Sequence, residues 1–425
     1  MQIVIMAGGK GTRIASVAND IPKPMILICD KPILEHQIIT LKRQGFNNII
    51  LIIGHMGNLI KDYFKDGLQL GVKITYIEEI NPLGTGGALY YLKNIISRDF
   101  LLINGDTIFD IDIERFIEYH RNKDAWVTLL THPNDHPYDS GIIRTDLDGK
   151  VTEWLHKEDS RLYYQNRVNA GLHIISPKIF QMFTELKKLD LDRDILKPMV
   201  RTGKLYAYDT PEYVKDMGTP ERYYSVTKDI LSKKVFQKNL YNKQKAVFLD
   251  RDGTINIYKN FISDPDDFEL IDGVAEAIAI LNQKGFLVIV VTNQPVIARG
   301  ECSLDTLQEI HNKMETLLGQ KGAYVDGIYF CPHHPDKGFP GERSEYKIDC
   351  NCRKPKPGML LQAAEKYNID LLNSYMVGDS LIDAEAGKAA GCKSILIKVD
   401  KSRIKIENIK VYESLFDFVL HEIRN

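Results

Sequence analysis

Two α/β domains in tandem, each built on a parallel-rich sheet, are predicted for this chain of 425 residues. Three observations predict them. Short β-branched runs alternate with helical patterns in the first third of the chain and again after residue 245, as βαβ units require. Two of these runs, QIVIM at the start and KAVFL from Lys245, lead straight into loops of unusual chemistry, AGGKGTR and DRDGT. The chain is also long for a single core, because domains average ~150 residues.

In the first domain NIILIIG, VKITYIEE and FLLINGD read as strands, and PILEHQIITLKRQG and GALYYLKNIISRD as helices. Beyond these the helices thin out, and WVTLLT, GIIRTD, KVTEWL and NAGLHIIS read as antiparallel additions. Residues 227–244 are polar, basic and free of Gly and Pro. They read as a helix end plus a linker, which puts the domains at 1–226 and 245–425. The second domain resumes the alternation with VAEAIAILNQKG, FLVIVVTN, LDTLQEIHNKMETLLG, VDGIYF, PGMLLQAAEKYNI, SYMVGDS, AEAGKAAG and KSILIKV. This is a doubly wound pattern, with no internal repeat.

A net charge of −2 gives no electrostatic case for a nucleic-acid or membrane partner. No apolar run approaches the ~20 residues that span a bilayer. The opening MQIVIMAGG lacks the basic segment of a signal peptide. The expectation is a cytoplasmic protein acting on small molecules, whose six cysteines stay reduced unless metal-bound. It leaves room for a homo-oligomer.

The first loop places Gly8, Gly9 and Gly11 just past a strand, where backbone N–H groups can approach a polyphosphate and Arg13 can neutralise it. Lys23, between two prolines, is a second cation. The spacing is neither G-x-G-x-x-G nor the P-loop pattern, and alone an ordinary glycine turn explains it equally well. Further along, NPLGTGGAL is a second glycine-rich turn, INGD ends a strand at Asp106, and NAGLHIIS and DMGTPERY supply Asn169 and Asp216. These five motifs, in this order, resemble the sugar-phosphate nucleotidyltransferases over residues 1–226. The resemblance implies a Rossmann-like, GT-A-type fold. It implies that Gly8, Gly9, Gly11, Thr12 and Arg13 cradle a nucleoside triphosphate and that Lys23 stabilises the transferring phosphates. Asp106 and Asp216 would hold Mg²⁺, Gly86 would lie against the base, and Lys157, Asn169 and Gly171 would face the sugar phosphate. Around Lys157 the chain reads His156-Lys157-Glu158 where that family often has Glu-Lys-Pro.

The second loop places Asp250 and Asp252 two apart beyond a strand end, able to share one Mg²⁺ or to divide into nucleophile and acid/base. A lone Asp-x-Asp is commonly just an acidic turn. Here Thr292-Asn293, Lys354 and Asp379 follow, near further strand ends. The set resembles the haloacid-dehalogenase-type phosphatases. That resemblance implies Asp250 as nucleophile and Asp252 as general acid then base. Thr292, Asn293, Arg353 and Lys354 would grip phosphate, and Asp379 would complete an Mg²⁺ site with Asp250 and the backbone of Asp252. Asp383, one helical turn past Asp379, reads either as support for the metal or as a solvated carboxylate at a helix start.

Cys331, His333, Cys350 and Cys352 form a Cys-x-His…Cys-x-Cys set. Four such ligands suit a closed, structural tetrahedral Zn²⁺ site. A redox Cys-x-x-C reading fails on spacing, and a disulfide within Cys-x-Cys would be strained.

Phosphatases with such a loop resemble heptose 1,7-bisphosphate and histidinol-phosphate phosphatases, and NFISDPDDFELIDGV looks closer to the heptose type. Joined to the first domain, the resemblance implies a two-step route. The 7-phosphate is removed, and the resulting heptose 1-phosphate receives GMP from GTP. The alternative is a hexose-1-phosphate nucleotidyltransferase, using GTP or UTP, fused to another small-molecule phosphatase.

Overall fold

The computed structural model describes residues 1–9, 21–399 and 409–424. They fall into two compact units. The first is Met1–His132, Ile143–Trp154 and Asn169–Asn239; the second is Pro133–Ile142, Leu155–Val168 and Leu240–Asn425.

The first unit is organised by strands β1 (Gln2–Met6), β2 (Asn48–Ile53), β3 (Lys73–Glu78) and β4 (Phe100–Asn104), parallel in the order β4-β1-β2-β3. β1 and β4 are apolar and buried along almost their whole length, as strands covered on both faces must be. The helix Ile33–Arg43 buries Leu34, Ile38 and Leu41, which share one face, in the core formed with β1 and β2. Beside a two-residue hairpin pair, Leu27–Ile28 with Lys31–Pro32, further strands are β5 (Thr107–Asp110), β6 (Val127–His132), β7 (Ile142–Thr145), β8 (Val151–Leu155), β9 (Val168–Ile175), β10 (Leu205–Asp209) and β11 (Tyr213–Asp216). The expected antiparallel character enters through β9, which pairs antiparallel with β4, while β10 runs parallel to β6. β5 and β11 form a separate antiparallel pair.

Two expectations change in detail. The helix expected over GALYYLKNIISRD starts three residues earlier, at Gly84, and runs only to Leu92, as an α-turn followed by a 3₁₀ turn. The segment around 227–244 carries the end of the helix Pro220–Leu231, capped by Thr219 with Pro220 at its first position, and then the short helix Lys234–Gln237.

In the second unit β12 (Ala246–Leu249), β13 (Leu287–Asn293), β14 (Gly327–Cys331), β15 (Tyr375–Gly378), β16 (Lys393–Ile397) and β17 (Lys410–Tyr412) are all parallel, in the order β14-β13-β12-β15-β16-β17. The helix Leu304–Gly319 is capped by Ser303 and buries Leu307, Ile310, Met314 and Leu318 against the sheet core. Because the strands are parallel, Asp250, Thr292, Cys331 and Asp379 all lie at their carboxyl ends, along one edge, where open α/β sheets bind ligands.

Candidate functional site

At the first site Gly8 and Gly9 follow β1, while Gly11, Thr12 and Arg13 lie outside the described residues. Lys23 is ion-paired with Asp106. The β5–β11 pairing sets Asp216 opposite Thr107, and the Met217 N–H donates to the Asp106 carbonyl at 2.9 Å. Lys23, Asp106 and Asp216 are thus brought together. Arg222, which the sequence reading passed over, holds both Asp216 oxygens at 2.9 and 2.8 Å. Burial pushes the Asp216 carboxyl up, but the charges of Arg222 and Lys23 outweigh it and hold the group below its ordinary value. Two neighbouring carboxylates are hard oxygen donors of the kind Mg²⁺ takes.

Asn169 and Gly171 lie on β9, beside the end of β4. Asn169 Oδ1 accepts the Gly171 N–H at 3.3 Å and meets His173 Nε2 at 3.0 Å, while its Nδ2 donates to Asp192 at 3.4 Å. Gly171 has φ +74°, and a Cβ there would stand 2.5 Å from the Asn104 amide, so only glycine fits. Burial, reinforced by Asp190, pushes Asp192 up to about 6, and burial holds His173 down to about 3. Asp192 sits in a π-helical turn, Leu191–Leu196, which no sequence pattern announced. Lys157 is exposed in the turn after β8.

Gly86 is accounted for by packing. Its N–H donates to the Leu189 carbonyl at 2.9 Å, and a Cβ would meet Ile195 at 2.7 Å. A second residue missed from sequence is Glu79. Its Oε1 accepts the Leu83 N–H at 3.2 Å, and its Oε2 lies 2.6 Å from where a Gly8 Cβ would stand. Burial raises its carboxyl above the ordinary value.

At the second site Lys354 Nζ lies 2.8 Å from Asp250 Oδ1 and 2.6 Å from Asp383 Oδ1. Burial alone would lower the Lys354 ammonium, yet the charges of Asp250 and Asp383 push it up to about 12. Asp250, Asp379 and Asp383 can bring one oxygen each within 4.8 Å of one another. Burial, aided by Asp383, pushes Asp379 up to about 6. Asp250 rises to about 7, because burial and its acidic neighbours outweigh Lys354. A cluster of carboxylates this close, one buried and two half-buried, fits a divalent cation. Gly253 makes it reachable: at φ +85° its missing Cβ would sit 1.9 Å from Asp379 Oδ2.

The structure corrects the solvated reading of Asp383. It is only 1% exposed, accepts from the Ser380 hydroxyl at 2.6 Å, and closes a capping box at the start of Leu381–Ala390. That burial depends on Lys354, which comes from far along the chain.

Thr292 is buried, and its hydroxyl accepts from Gln294 at 2.9 Å. The Asn293 side chain grips the Lys354 backbone both ways, accepting its N–H and donating to its carbonyl, each at 3.0 Å. Arg353 donates to the His333 carbonyl at 3.2 Å.

Cys331, His333, Cys350 and Cys352 converge, with Sγ···Sγ separations of 3.5, 3.3 and 3.2 Å and Nδ1···Sγ separations of 3.7 and 3.3 Å. Thiolates about 2.3 Å from a tetrahedral Zn²⁺ would lie roughly 3.8 Å apart, so the four donors fit that ion with a small outward adjustment. His334 is outside the cluster; its Nδ1 accepts the Asp336 N–H at 3.2 Å.

Two phosphate-chemistry centres on two α/β sheets define the class: an enzyme with a nucleotidyltransferase domain and a phosphatase domain. Residues 2–233 match the nucleotidyl transferase family and residues 351–423 the HAD-hydrolase-like family. The D-glycero-beta-D-manno-heptose-1,7-bisphosphate 7-phosphatase of Pasteurella multocida is 47% identical over 159 residues, 37% of this chain and 84% of the relative. Its Escherichia coli K12 counterpart is 44% identical over 157 residues, covering 37% and 80%. The solved structure of HddC from Yersinia pseudotuberculosis is 33% identical, with a TM-score of 0.48, covering 54% of this chain and 99% of that one. The D,D-heptose 1.7-bisphosphate phosphatase from B. bronchiseptica, solved with magnesium and phosphate, is 37% identical at a TM-score of 0.37, covering 42% and 97%. The chain therefore belongs to the nucleotidyl transferase family and, through its C-terminal part, to the family of these HAD-type phosphatases. Among the described residues no helix is long and apolar enough to cross a membrane.

Proposed function

We propose that this chain is a bifunctional enzyme of nucleotide-activated heptose biosynthesis, making GDP-D-glycero-α-D-manno-heptose from the 1,7-bisphosphate. The observation that carries the reading is the pairing in one chain of a Cys₃His-loop phosphatase centre with a sugar nucleotidyltransferase centre. Removing the 7-phosphate leaves a sugar 1-phosphate, the acceptor that the other centre needs.

In the first step an Asp250 oxygen attacks the phosphorus of the 7-phosphate. The bond to the sugar oxygen breaks, and Asp252 gives that oxygen a proton. Asp252 then takes a proton from water as it hydrolyses the aspartyl-phosphate. Thr292, Asn293 and Lys354 hold the phosphoryl oxygens, and Arg353 reads the rest of the substrate. Asp250, Asp379 and the Asp252 backbone would hold Mg²⁺, which offsets charge between the two anions when bound. Cys331, His333, Cys350 and Cys352 would hold a structural Zn²⁺ that fixes the Arg353–Lys354 segment.

In the second step an oxygen of heptose 1-phosphate attacks the α-phosphorus of GTP and expels pyrophosphate. Arg13 and Lys23 spread the developing charge, the Gly8–Thr12 loop cradles the phosphates, and Asp106 and Asp216 would hold Mg²⁺. Gly86 lies near the base, and Asn169 and Gly171 face the sugar phosphate.

The phosphatase relatives are named for the β-anomer. We assign the α-anomer here because residues 1–226 resemble the guanylyltransferase that serves the α-anomer route. The test supplies α- or β-heptose 1-phosphate, or a hexose 1-phosphate, with GTP, ATP, UTP or CTP and measures pyrophosphate. Turnover confined to the α-anomer with GTP supports the reading, and turnover only with hexose 1-phosphates overturns it.

A further inference from the structure

Arg251 stands between the two aspartates of the DRDGT loop and is fully buried, at 0% exposure, the largest such side chain among the described residues. Arginine is almost never buried this deeply without a dedicated partner. Its Nη2 donates to both Asp252 oxygens, at 3.0 and 2.9 Å, and its Nε to Oδ1 at 3.3 Å. On its other side Nη1 lies 3.3 Å from Nε2 of His311, which is buried in the helix Leu304–Gly319. Burial, with the Arg251 charge behind it, holds His311 well below its ordinary value. The imidazole is therefore neutral and offers Nε2 as an acceptor.

Asp252 has two further partners, Asn256 at 3.0 Å on Oδ1 and Gln294 at 2.8 Å on Oδ2. Both oxygens are thus saturated, and one donor must yield before Asp252 can exchange a proton. Asn256 and Gln294 each give a single neutral hydrogen bond. Arg251 is bidentate, charged, and anchored at its far end.

We propose that the Arg251–His311 pair is a positioning device that holds the Asp252 carboxylate in line for proton transfer while the amide donors give way. The proposal rests on reading Asp252 as the acid/base. It assigns a role in turnover to His311, a residue on a helix outside the phosphatase motifs.

The test uses the full-length Mg²⁺-loaded protein and two classes of phosphomonoester, an alkyl sugar phosphate and 4-nitrophenyl phosphate. The nitrophenolate leaves without a proton, so it needs no placed acid; hydrolysis of the aspartyl-phosphate is common to both esters, so the comparison is of leaving-group release in the first turnover. His311→Leu should slow first-turnover release of the sugar about tenfold or more, leave KM within about twofold, and change first-turnover release of nitrophenolate far less. His311→Gln, whose amide oxygen can accept from Arg251, should recover most of the loss. Equal losses on both esters, or a change confined to KM, would overturn the proposal. If His311→Leu does not fold, Arg251→Lys decides by the same ratio, because it keeps the charge and loses the bidentate grip. Asp252→Asn is the control. If it slows first-turnover release of both leaving groups alike, the acid reading of Asp252 is wrong, which is a separate failure.

Discussion

Lys354 Nζ bridges Asp250 and Asp383, 2.8 Å from one carboxylate and 2.6 Å from the other, with its side chain only 2% exposed. One cation therefore does two jobs, making a cluster of buried carboxylates tolerable and standing where an incoming phosphoryl group would meet the expected nucleophile. Lys354→Met should lower phosphatase turnover by about 10²–10³-fold. It should also destabilise the second unit by about 3–5 kcal/mol, because two buried carboxylates lose their counter-charge. Phosphate release and thermal melting check the two effects separately. A variant with full turnover contradicts the role.

The Cys₃His cluster leads directly into Arg353, Lys354 and the Asn293 clamp. Zinc removal by a chelator, followed by restored Mg²⁺, should therefore lower phosphatase activity and spare nucleotidyl transfer. Metal analysis together with both assays checks this. Unchanged phosphatase rates in verified zinc-free protein would rule out the positioning role.

Within the second unit Arg167 and Glu315 form a buried ion pair at 3.1 Å, and Glu315 also accepts the Asn166 N–H at 2.8 Å. Glu315→Ala should cost about 3–5 kcal/mol, measured by denaturant unfolding, because a buried guanidinium loses its carboxylate. The double change Arg167→Met with Glu315→Leu should cost less than the single one, since it removes both charges together. A single change costing under about 1 kcal/mol would mean that the pair is solvated in solution.

Asp192 gives a pH dependence. Its folded value of about 6 lies above the ordinary 3.8, chiefly through burial. The folded state therefore keeps the proton where the unfolded chain has lost it. The stabilising contribution is full below about pH 4 and fades as pH rises through about 6, with an upper limit near ~3 kcal/mol. Asp192→Asn should flatten that decline and raise first-unit stability at pH 8. A wild-type stability profile flat from pH 4 to 7 would contradict it.

The parallel cores were legible because β1, β4, β12 and β13 are uninterrupted apolar runs, a pattern that serves strands covered on both faces. Asp106, Asp250 and Asp379 drew notice for a related reason: each stands just past such a run at a strand end. Asp383 was not, because a carboxylate at a helix start looks alike in sequence whether it meets water or a lysine from a distant loop. Arg251 and Glu79 were missed because their meaning lies in their partners, His311 and Gly8, which are far from them in the chain. The glycines at 84–87 suggested a ligand turn, and close packing against Lys187–Leu191 is a second reason for glycine there.

The central claim is that one chain removes the 7-phosphate and then loads the 1-phosphate. The most direct measurement follows phosphate, pyrophosphate and nucleotide sugar together when the purified protein receives heptose 1,7-bisphosphate, GTP and Mg²⁺, beside an Asp250→Asn variant. The account predicts phosphate first, then pyrophosphate and GDP-heptose in equal amounts. It predicts that Asp250→Asn forms neither phosphate nor GDP-heptose from the bisphosphate, yet makes GDP-heptose at the normal rate from supplied heptose 1-phosphate. Phosphate release without any nucleotide sugar, or loss of both activities in Asp250→Asn, would contradict it.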